Sequence, residues 1–380
     1  SSDLEYLATK KNNVNVLCTD SKYNENDDFE FINKEYVNGV YIQRVKSGNL
    51  DKNNFVKRTF KLFRSSFKLF IKLVFLIKKN DEVLIVTNPA FLILLMPLLK
   101  FIKGIEYKIL VHDIFPENLV AIGKINSSSP LFNILKKLFD YSYSKAEVCI
   151  AIGRDMREVL LKKKVKFSNI SLISNWSDTN QVQSLHKSET KLVNKLNLSD
   201  KFIFQFAGNL GYAQGIENLI EAIKLVRNDN IHFLFIGSGA MENKIKNFIK
   251  TNTLNNVTQI GFQDRSNQND FLNACDVAIV TLNDGMYGLG VPSKSYNIMA
   301  SGKPILVIAD KNSEISLSVT EHNIGWSVIP NNPILLNDLF LEIYGEFIEN
   351  NWNNISNPRE IALKLFAKEI ILNKYCRLFN

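Results

Sequence analysis

The chain has 380 residues, 46% of them hydrophobic, which is enough to bury two cores, so we expect two domains. Its net charge of +8 favours an anionic partner, such as a nucleoside diphosphate, an anionic lipid or nucleic acid. Four scattered cysteines and four scattered histidines exclude a disulfide scaffold and a zinc module, and no apolar run reaches the ~20 residues that span a bilayer.

The first predicted element is a helix over residues 2–10, which leads into a strand over residues 14–18. A doubly wound α/β domain begins with a strand and a glycine-rich turn before its first helix. We therefore expect about 15–25 further residues, holding that strand and turn, before Ser1.

Short apolar runs alternate with amphipathic stretches through the first half, which favours a parallel sheet with helices on both faces. The predicted strands are residues 14–18, 40–45, 82–87, 107–112, 148–152 and 170–173. The predicted helices are residues 55–79, 91–102, 130–144 and 154–163. These elements form the first predicted domain, residues 1–178.

The helix over residues 55–79 contains no acidic residue. At helical spacing, its cations lie on one face: Lys57, Lys61, Arg64, Lys68 and Lys72. Its apolar residues lie on the opposite face: Phe60, Phe63, Phe67, Phe70, Val74 and Ile77. Such a helix is typical of anionic membrane surfaces, where each cation contributes on the order of 1 kcal/mol. Alternatively, the apolar face packs on the sheet and the lysines face water. Nucleic-acid binding is not favoured, because no known module is visible.

Polar residues follow two predicted strands of the first half. Asn88 ends one strand, and residues 110–117 read Leu-Val-His-Asp-Ile-Phe-Pro-Glu after another. His112, Asp113 and Glu117 are candidates to orient a substrate hydroxyl. The alternative is a satisfied core histidine beside an aspartate that caps a helix.

A polar stretch over residues 175–195 is the predicted interdomain connection. The strands that follow are residues 202–207, 231–236, 257–260, 277–281, 304–307 and 326–329. The helices are residues 215–227, 240–250, 266–274, 293–301 and 333–348. They form a second domain, residues 196–357, and an amphipathic helix closes the chain over residues 358–380.

Two strand ends in this domain are glycine-rich. Residues 207–217 read Ala-Gly-Asn-Leu-Gly-Tyr-Ala-Gln-Gly-Ile-Glu, where Gly208 and Gly211 allow a tight turn beneath a diphosphate. Gly237 shapes the floor of the same cleft. In residues 260–265, Gly261 allows close approach of a ligand, Phe262 is a candidate to stack on a planar group of it, and Arg265 lies nearby. Alternatively, Phe262 is a core residue and Arg265 is solvated.

The most informative string covers residues 283–294, Asn-Asp-Gly-Met-Tyr-Gly-Leu-Gly-Val-Pro-Ser-Lys. A glycine-bearing loop runs directly into a short helix, and Pro292 suits its first turn. Amides at the helix start together with the Lys294 ammonium predict a phosphate site. For the glycines alone, an ordinary βα loop is the alternative.

These strings together resemble the retaining nucleotide-sugar glycosyltransferases of family GT4. The similarity covers most of the chain and is strongest from Phe202 to Pro330. Within the family the chain resembles the bacterial branch that builds O-antigen and capsule, including N-acetylfucosamine and colanic acid transferases. The resemblance implies the GT-B fold, two Rossmann-like α/β domains facing across a cleft, with the closing helix crossing back to the first domain.

The sequence departs from the wider family at four positions. Asn209 and Gln214 stand where many members have a cation for the donor phosphates. Leu289 and Asn297 stand where many members have glutamates for the sugar and the ribose. These changes give more weight to Lys294 and to backbone amides, with Glu314 as a weaker substitute or only a helix-capping acid.

The resemblance implies transfer of a sugar, an N-acetylated or deoxy hexose, from a UDP-sugar to a polyprenyl-diphosphate-linked saccharide. Transfer retains the anomeric configuration and needs no metal or other cofactor, at the inner face of the bacterial plasma membrane. Two alternatives stay open. One is a UDP-N-acetylhexosamine 2-epimerase of the same fold, which needs no acceptor. The other is a non-catalytic nucleotide-binding partner subunit.

The resemblance assigns catalysis to Asp113, His112 and Lys294, with Asp113 favoured over His112. Glu117 and Asn88 are expected on the acceptor side. The expected donor contacts are Gly208, Asn209, Gly211, Gln214, Gly237, Gly261, Phe262, Arg265, Tyr287, Gly288, Leu289, Gly290, Val291, Pro292, Ser293, Asn297 and Glu314.

Overall fold

The computed structural model describes residues 2–10, 13–20, 32–47, 55–352 and 355–379, with the backbone alone at positions 2 and 55–58. The first half contains α1 (Ser2–Thr9), β1 (Val14–Thr19), β2 (Lys34–Val37), β3 (Val40–Val45), α2 (Phe55–Leu76), β4 (Val83–Val86), α3 (Ala90–Lys103), β5 (Tyr107–Val111), α4 (Glu117–Ala121), α5 (Pro130–Ser144), β6 (Val148–Ala151), α6 (Arg154–Lys162) and β7 (Ile170–Leu172). The second half contains α7 (Lys191–Lys195), β8 (Phe202–Ala207), α8 (Ile216–Leu225), β9 (Ile231–Ile236), α9 (Glu242–Thr251), β10 (Val257–Ile260), α10 (Gln268–Leu272), β11 (Val277–Thr281), α11 (Lys294–Ala300), β12 (Ile305–Ile308), α12 (Glu314–Glu321), β13 (Gly325–Val328), α13 (Pro333–Ile348), α14 (Pro358–Leu365) and α15 (Lys368–Cys376).

All six strands predicted in the first half are present, but they form two sheets where we predicted one. Strands β4 to β7 form a parallel sheet in chain order, while β1 pairs with β3 in parallel and β2 adds to β3 antiparallel. Among the described residues, no strand of the β1–β3 sheet pairs with a strand of the β4–β7 sheet. Strand β2 was not predicted.

Helices α3, α5 and α6 cover one face of the β4–β7 sheet. Each connects a strand to its neighbour in the same direction, and right-handed crossovers then place all three helices on the same side. Helix α2 packs beside α3, where the rings of Phe63 and Phe91 meet edge to face at 5.9 Å. The inner side of this layer is fully buried at Met96, Leu99 and Tyr143.

The sheet of the second half is wholly parallel and has the strand order β10-β9-β8-β11-β12-β13. Numbered from its own first strand, this is the order 3-2-1-4-5-6 of a doubly wound dinucleotide-type domain. The order reverses between β8 and β11, and a crevice opens outside the carboxyl ends of these two strands. Both glycine-rich loops of the sequence follow these strands, so the topology brings them together.

The last part of the chain returns to the first domain. Helix α14 packs on α11, and α15 packs on α1, where the Tyr6 hydroxyl donates to Asn373 Oδ1 at 2.8 Å. We predicted one closing helix, but it is broken at Ala367. The reason is that Ser177 pairs with the backbone there, donating to Phe366 O and accepting from Lys368 N, both at 3.0 Å. The domain boundaries at residues 178, 196 and 357 stay predictions.

Candidate functional site

The two glycine-rich loops form one wall of the crevice. Asn283 N donates to Ala213 O at 2.9 Å, and a Cβ on Gly215 would lie 3.1 Å from Asn283 Cα. Gly215 has a φ of +57°, which a glycine adopts without strain. The local sequence therefore allows the two loops to pack backbone against backbone. Asn209 is exposed in this loop, while Gly211 and Gln214 are half-buried.

The ends of strands β8 and β9 are joined through glycines. Gly208 N donates to Ile236 O at 2.9 Å, and a Cβ on Gly237 would lie only 2.0 Å from Gly208 O. Gly237 has a φ of +138°, so a side chain at this position is excluded by both backbone conformation and space. The prediction that Gly237 shapes the floor of the cleft agrees with this packing.

Lys294 lies directly above the glycine of the first loop. A Cβ on Gly208 would be 3.5 Å from Lys294 Cδ, and Lys294 Nζ is 3.5 Å from the centre of the Phe206 ring. Within the described residues Nζ has neither a hydrogen-bond partner nor solvent contact, although the whole side chain is only half-buried. Desolvation of the ammonium lowers the pKa of Lys294 to about 7. An unpaired buried ammonium is costly, so the site favours an added anion.

A cavity of about 320 Å³ is lined in part by Lys294, although its Nζ is itself enclosed by protein. Four predicted donor contacts line it: Arg265, Ser293, Lys294 and Asn297. Five other lining residues were not predicted: Trp176, Asp178, Gln181, Val182 and Gln268. Four of these belong to the interdomain connection or its flank. Their only signal in the sequence is the polar composition of that stretch, which does not say that it folds against α11.

Asn297 connects the cavity to the interdomain connection. Its Oδ1 accepts from the Ser177 hydroxyl at 2.9 Å, and neighbouring Asp178 forms an ion pair with Lys368 at 3.3 Å. Trp176 donates through its indole nitrogen to Asp3 Oδ1 at 2.8 Å. Asn297, the predicted ribose position, is therefore held by Ser177 of the connection, and the connection is in turn held by Lys368 of α15.

The predicted base-binding strand end is open. Phe262 is 53% exposed, which does not fit the alternative of a core phenylalanine. A Cβ on Gly261 would meet no atom within 4 Å. Neither the fold nor the local backbone thus requires glycine at position 261, and the space beside it is free for a planar ligand edge.

On the first domain, the loop after β5 faces the second glycine-rich loop. The Thr87 hydroxyl accepts from the backbone N–H groups of His112 and Asp113, both at 3.1 Å. A Cβ on Gly290 would lie 3.6 Å from Asp113 Oδ1, so the structure brings the candidate acceptor-side carboxylate to the candidate donor loop. Burial raises the pKa of Asp113, opposed by His112. Although His112 is exposed, desolvation by surrounding protein lowers its pKa, opposed by Asp113 and Asp3.

The two other acceptor-side predictions have different surroundings. Glu117 forms ion pairs with Lys163 at 2.7 Å and Lys136 at 3.4 Å, so its carboxylate is engaged within the first domain. Lys163 is almost fully buried there and also donates to Phe115 O, which supports the loop rather than a ligand. Asn88 is exposed at the end of β4.

Gly288, Leu289 and Glu314, which we predicted as donor contacts, contact the first domain. A Cβ on Gly288 would lie 2.7 Å from Asp155 O, and Leu289 O accepts from Ile114 N at 3.1 Å. Glu314 accepts from the Arg154 backbone at 2.6 Å and from its guanidinium at 2.9 Å. Packing and ion pairing across the domains therefore use these three residues.

The remaining predicted donor contacts of this loop are half-buried or exposed. Val291 also meets the first domain, since a Cβ on Gly153 would lie 2.8 Å from its Cγ2. Tyr287 and Pro292 are half-buried, and Ser293 is exposed at the cavity. Among the described residues no three His, Cys, Asp or Glu side chains are grouped to hold a metal ion.

Comparison with known proteins identifies relatives that cover part or most of the chain. Residues 188–349 match the family model described as "Glycosyl transferases group 1". The chain is 38% identical over 327 residues to the probable glycosyltransferase WbjE of Pseudomonas aeruginosa, covering 86% of this chain and 80% of that protein. It is 27% identical over 227 residues to the putative colanic acid biosynthesis glycosyl transferase WcaI of Escherichia coli K12, covering 59% of this chain and 54% of that protein.

Solved structures share the fold at low sequence identity. Sucrose-phosphate synthase from Thermosynechococcus elongatus superposes with a TM-score of 0.75 at 17% identity, covering 100% of this chain and 91% of that one. Anabaena Alr3699/HepE in complex with UDP superposes with a TM-score of 0.69 at 15% identity, covering 89% and 85%. Likeness at this level concerns the architecture alone.

Proposed function

The chain belongs to the group 1 glycosyltransferases, and we propose that it transfers a sugar from a UDP-sugar to a lipid-linked saccharide in bacterial surface-polysaccharide synthesis. Its GT-B fold of two Rossmann-like domains agrees with the prediction from sequence. The name of WcaI, a relative assigned to colanic acid synthesis, supports the polysaccharide role. The UDP complex of HepE supports the nucleotide.

The observation that supports this function most strongly is the buried ammonium of Lys294, which has no hydrogen-bond partner among the described residues and belongs to a residue that lines the cavity. Two phosphates placed over Gly208 would supply the anion that the ammonium lacks among the described residues. The nucleoside then extends through the cavity past Asn297 towards Gly261. In this proposal Lys294 and backbone amides neutralise the diphosphate, and no metal ion or other cofactor is used.

We further propose that transfer retains the anomeric configuration by attack from the face that the diphosphate leaves. The bond between the anomeric carbon and the diphosphate oxygen breaks while the acceptor oxygen forms the new bond. The acceptor proton passes to the departing diphosphate, so no protein nucleophile is required. Asp113, which faces Gly290 across the cleft, orients the acceptor hydroxyl with His112 beside it.

The test is a thermal-shift panel of UDP, GDP, ADP and dTDP in the presence of EDTA, followed by transfer assays. A ligand that binds only the folded state stabilises it by about 2.7 kcal/mol at a hundredfold excess over its Kd. We expect a selective shift with UDP that survives EDTA. A shift only with another nucleotide would overturn the UDP assignment, and no shift with any would overturn the nucleotide site.

The variant that tests this role is Lys294→Met, which removes the charge and keeps an unbranched side chain one atom shorter. We expect turnover to fall about a hundredfold or more, as when one preorganised charge stabiliser is removed, while the protein stays folded. Normal turnover in folded Lys294→Met protein would contradict the assignment of Lys294.

A further inference from the structure

Three neighbouring helices of the first domain expose apolar side chains on their outer surface. Those of α2 are Phe60, Phe63, Phe67, Ile71, Phe75 and Leu76; those of α3 are Leu98, Phe101 and Ile102; those of α5 are Leu131, Ile134, Leu138 and Tyr141. Their exposed fractions run from 41% to 86%. Because α3 packs against both α2 and α5 in one layer, these residues form a single area, which we name the three-helix surface. Contiguous exposed apolar area of this kind marks an interaction site.

The six apolar residues predicted on one face of the helix over residues 55–79 differ in burial. Phe70 and Ile77 are buried against the domain, while Phe60, Phe63 and Phe67 are exposed. The sheet covers only one side of the apolar stripe, so the other side reaches solvent.

The cations of α2 lie beside this exposed stripe and not opposite to it. At 100° per residue, Lys61, Arg64, Lys68 and Lys72 lie about a quarter turn from the exposed phenylalanines. Lys68 also donates to Lys46 O at 2.8 Å, and the side chain of Lys57 lies outside the described residues. An exposed apolar stripe flanked by cations, with no acidic residue on the helix, is the pattern of an interfacial membrane helix.

We propose that the three-helix surface docks on an anionic lipid bilayer, with its apolar side chains at the headgroup boundary and the α2 cations on lipid phosphates. This inference rests on the proposed lipid-linked acceptor and identifies the face through which the acceptor is reached. No helix of the described chain is long and apolar enough to cross a membrane.

The position of the surface fits an acceptor held in the bilayer. Helix α3 starts directly after Pro89, two residues beyond Thr87, whose hydroxyl holds the backbones of His112 and Asp113. Phe63 of α2 contacts Phe91 at this start of α3, so one end of the three-helix surface lies at the acceptor side of the cleft. The 14 residues of α3 span about 20 Å from there to the exposed Phe101 and Ile102.

A second copy of the chain is the competing occupant, and charge argues against it. A symmetric contact would place the same face of α2 on both partners, and α2 contains no acidic residue to compensate its cations. Anionic lipid supplies that compensation.

The test is co-sedimentation with vesicles of phosphatidylglycerol and phosphatidylcholine in equal parts, compared with phosphatidylcholine alone. We expect Phe75→Ser combined with Phe101→Ser to lower vesicle affinity on the order of a hundredfold, since both side chains lose apolar burial. We expect Arg64→Glu combined with Lys72→Glu to lower it at least about tenfold.

Two matched controls lie outside the three-helix surface. Ile334→Ser with Ile348→Ser changes exposed apolar residues of α13, and Lys195→Glu with Lys250→Glu makes the same charge change away from the surface. Both should sediment like the parent protein. The UDP thermal shift of every variant is measured in parallel, so that loss of vesicle binding with an unchanged shift separates this proposal from the proposed nucleotide site.

Three results would overturn the docking proposal: no sedimentation of the parent protein, equal binding to uncharged vesicles, or a dimer in solution that Phe75→Ser with Phe101→Ser dissociates. None of them would affect the assignment of the nucleotide site.

Discussion

Lys294 is the residue whose environment says most about a ligand. Its pKa of about 7 in the folded protein compares with an ordinary value of 10.5. Between these values the unfolded chain binds a proton that the folded chain does not, so the free energy of unfolding rises with pH over this window. Below pH 7 the cost of the buried ammonium is fully present. Without a bound nucleotide, the protein is thus less stable when Lys294 is protonated. The protonated form is the one that attracts an anion.

Nucleotide binding should consequently depend on pH. A bound diphosphate raises the pKa of Lys294, so binding above pH 7 takes up a proton and the UDP affinity falls by up to about tenfold per pH unit. A phosphate ester has its second pKa near 6, so the nucleotide itself stays ionised over this range. Calorimetric titration in two buffers of different ionisation enthalpy measures the proton uptake. Lys294→Met should show none, and a pH-independent affinity of the parent protein would contradict the linkage.

Gly261 permits a test of the base site that does not disturb the fold. Because a Cβ there meets no atom within 4 Å, Gly261→Ala should change the free energy of unfolding by less than about 0.5 kcal/mol. It should weaken UDP binding about tenfold if the base lies against this backbone.

The matched control is Gly237→Ala, where a Cβ would be 2.0 Å from Gly208 O. We expect it to destabilise the protein by more than about 2 kcal/mol. Urea denaturation and UDP titration of both variants supply the measurements. If Gly261→Ala kept the parental UDP affinity, the base would not bind against Gly261.

At the scale of elements, α6 and α12 hold the second glycine-rich loop against the first domain. Asp155 Oδ2 accepts from Gly288 N at 3.3 Å and from Glu314 N at 3.0 Å, and Arg154 pairs with Glu314 beside it. Burial raises the pKa of Asp155, partly opposed by these N–H donors. The donor loop and the loop of Asp113 are consequently held in one arrangement, although they belong to different domains.

Asp155→Asn tests this connection. Oδ1 accepts from Met156 N at 2.7 Å and Oδ2 from two other N–H groups, so an amide leaves at least one buried donor without an acceptor in either orientation. We expect a loss of about 1–3 kcal/mol in urea denaturation and a larger fall in kcat than in UDP affinity.

Glu242→Gln is the matched control, since it removes an exposed ion pair with Lys246 on α9 and should cost less than about 0.5 kcal/mol. If Asp155→Asn kept the parental kcat, the connection would have no role in positioning the loop.

At the scale of the molecule, the chain end ties the two domains together. Helix α14 packs on α11 beside the cavity, and α15 packs on α1 of the first domain. Between them, Ser177 bonds to the backbone at Phe366 and Lys368 and to Asn297. The proposed donor site is therefore supported by the last helices as well as by its own domain.

Two adjacent isoleucines of α15 test this support. Ile371 is fully buried and Ile370 is 38% exposed, so Ile371→Ala should lower the free energy of unfolding by about 2–4 kcal/mol and Ile370→Ala by less than about 1 kcal/mol. Urea denaturation monitored by tryptophan fluorescence measures both. Equal effects would show that α15 does not pack on the first domain in solution.

The sequence by itself determined most elements and the two glycine-rich loops, and it selected Lys294 as a candidate site residue. The periodic spacing of apolar residues in a helix or strand is visible within a short stretch of sequence. Glycines in turns and a lysine in a loop are likewise recognised from a few neighbouring residues. The predicted helix over residues 333–348 is α13 of the structure, and all the predicted strands of the second half are present.

Only the tertiary structure decided which side chains remain available for a ligand. The Glu314 carboxylate forms an ion pair with Arg154, 160 residues away in sequence. Trp176 reaches the cavity only because the connection folds onto α11. Likewise, a periodic pattern shows that α2 has an apolar stripe but not how much of it the sheet covers. These outcomes depend on contacts between residues far apart in sequence, and local periodicity contains no information about such contacts.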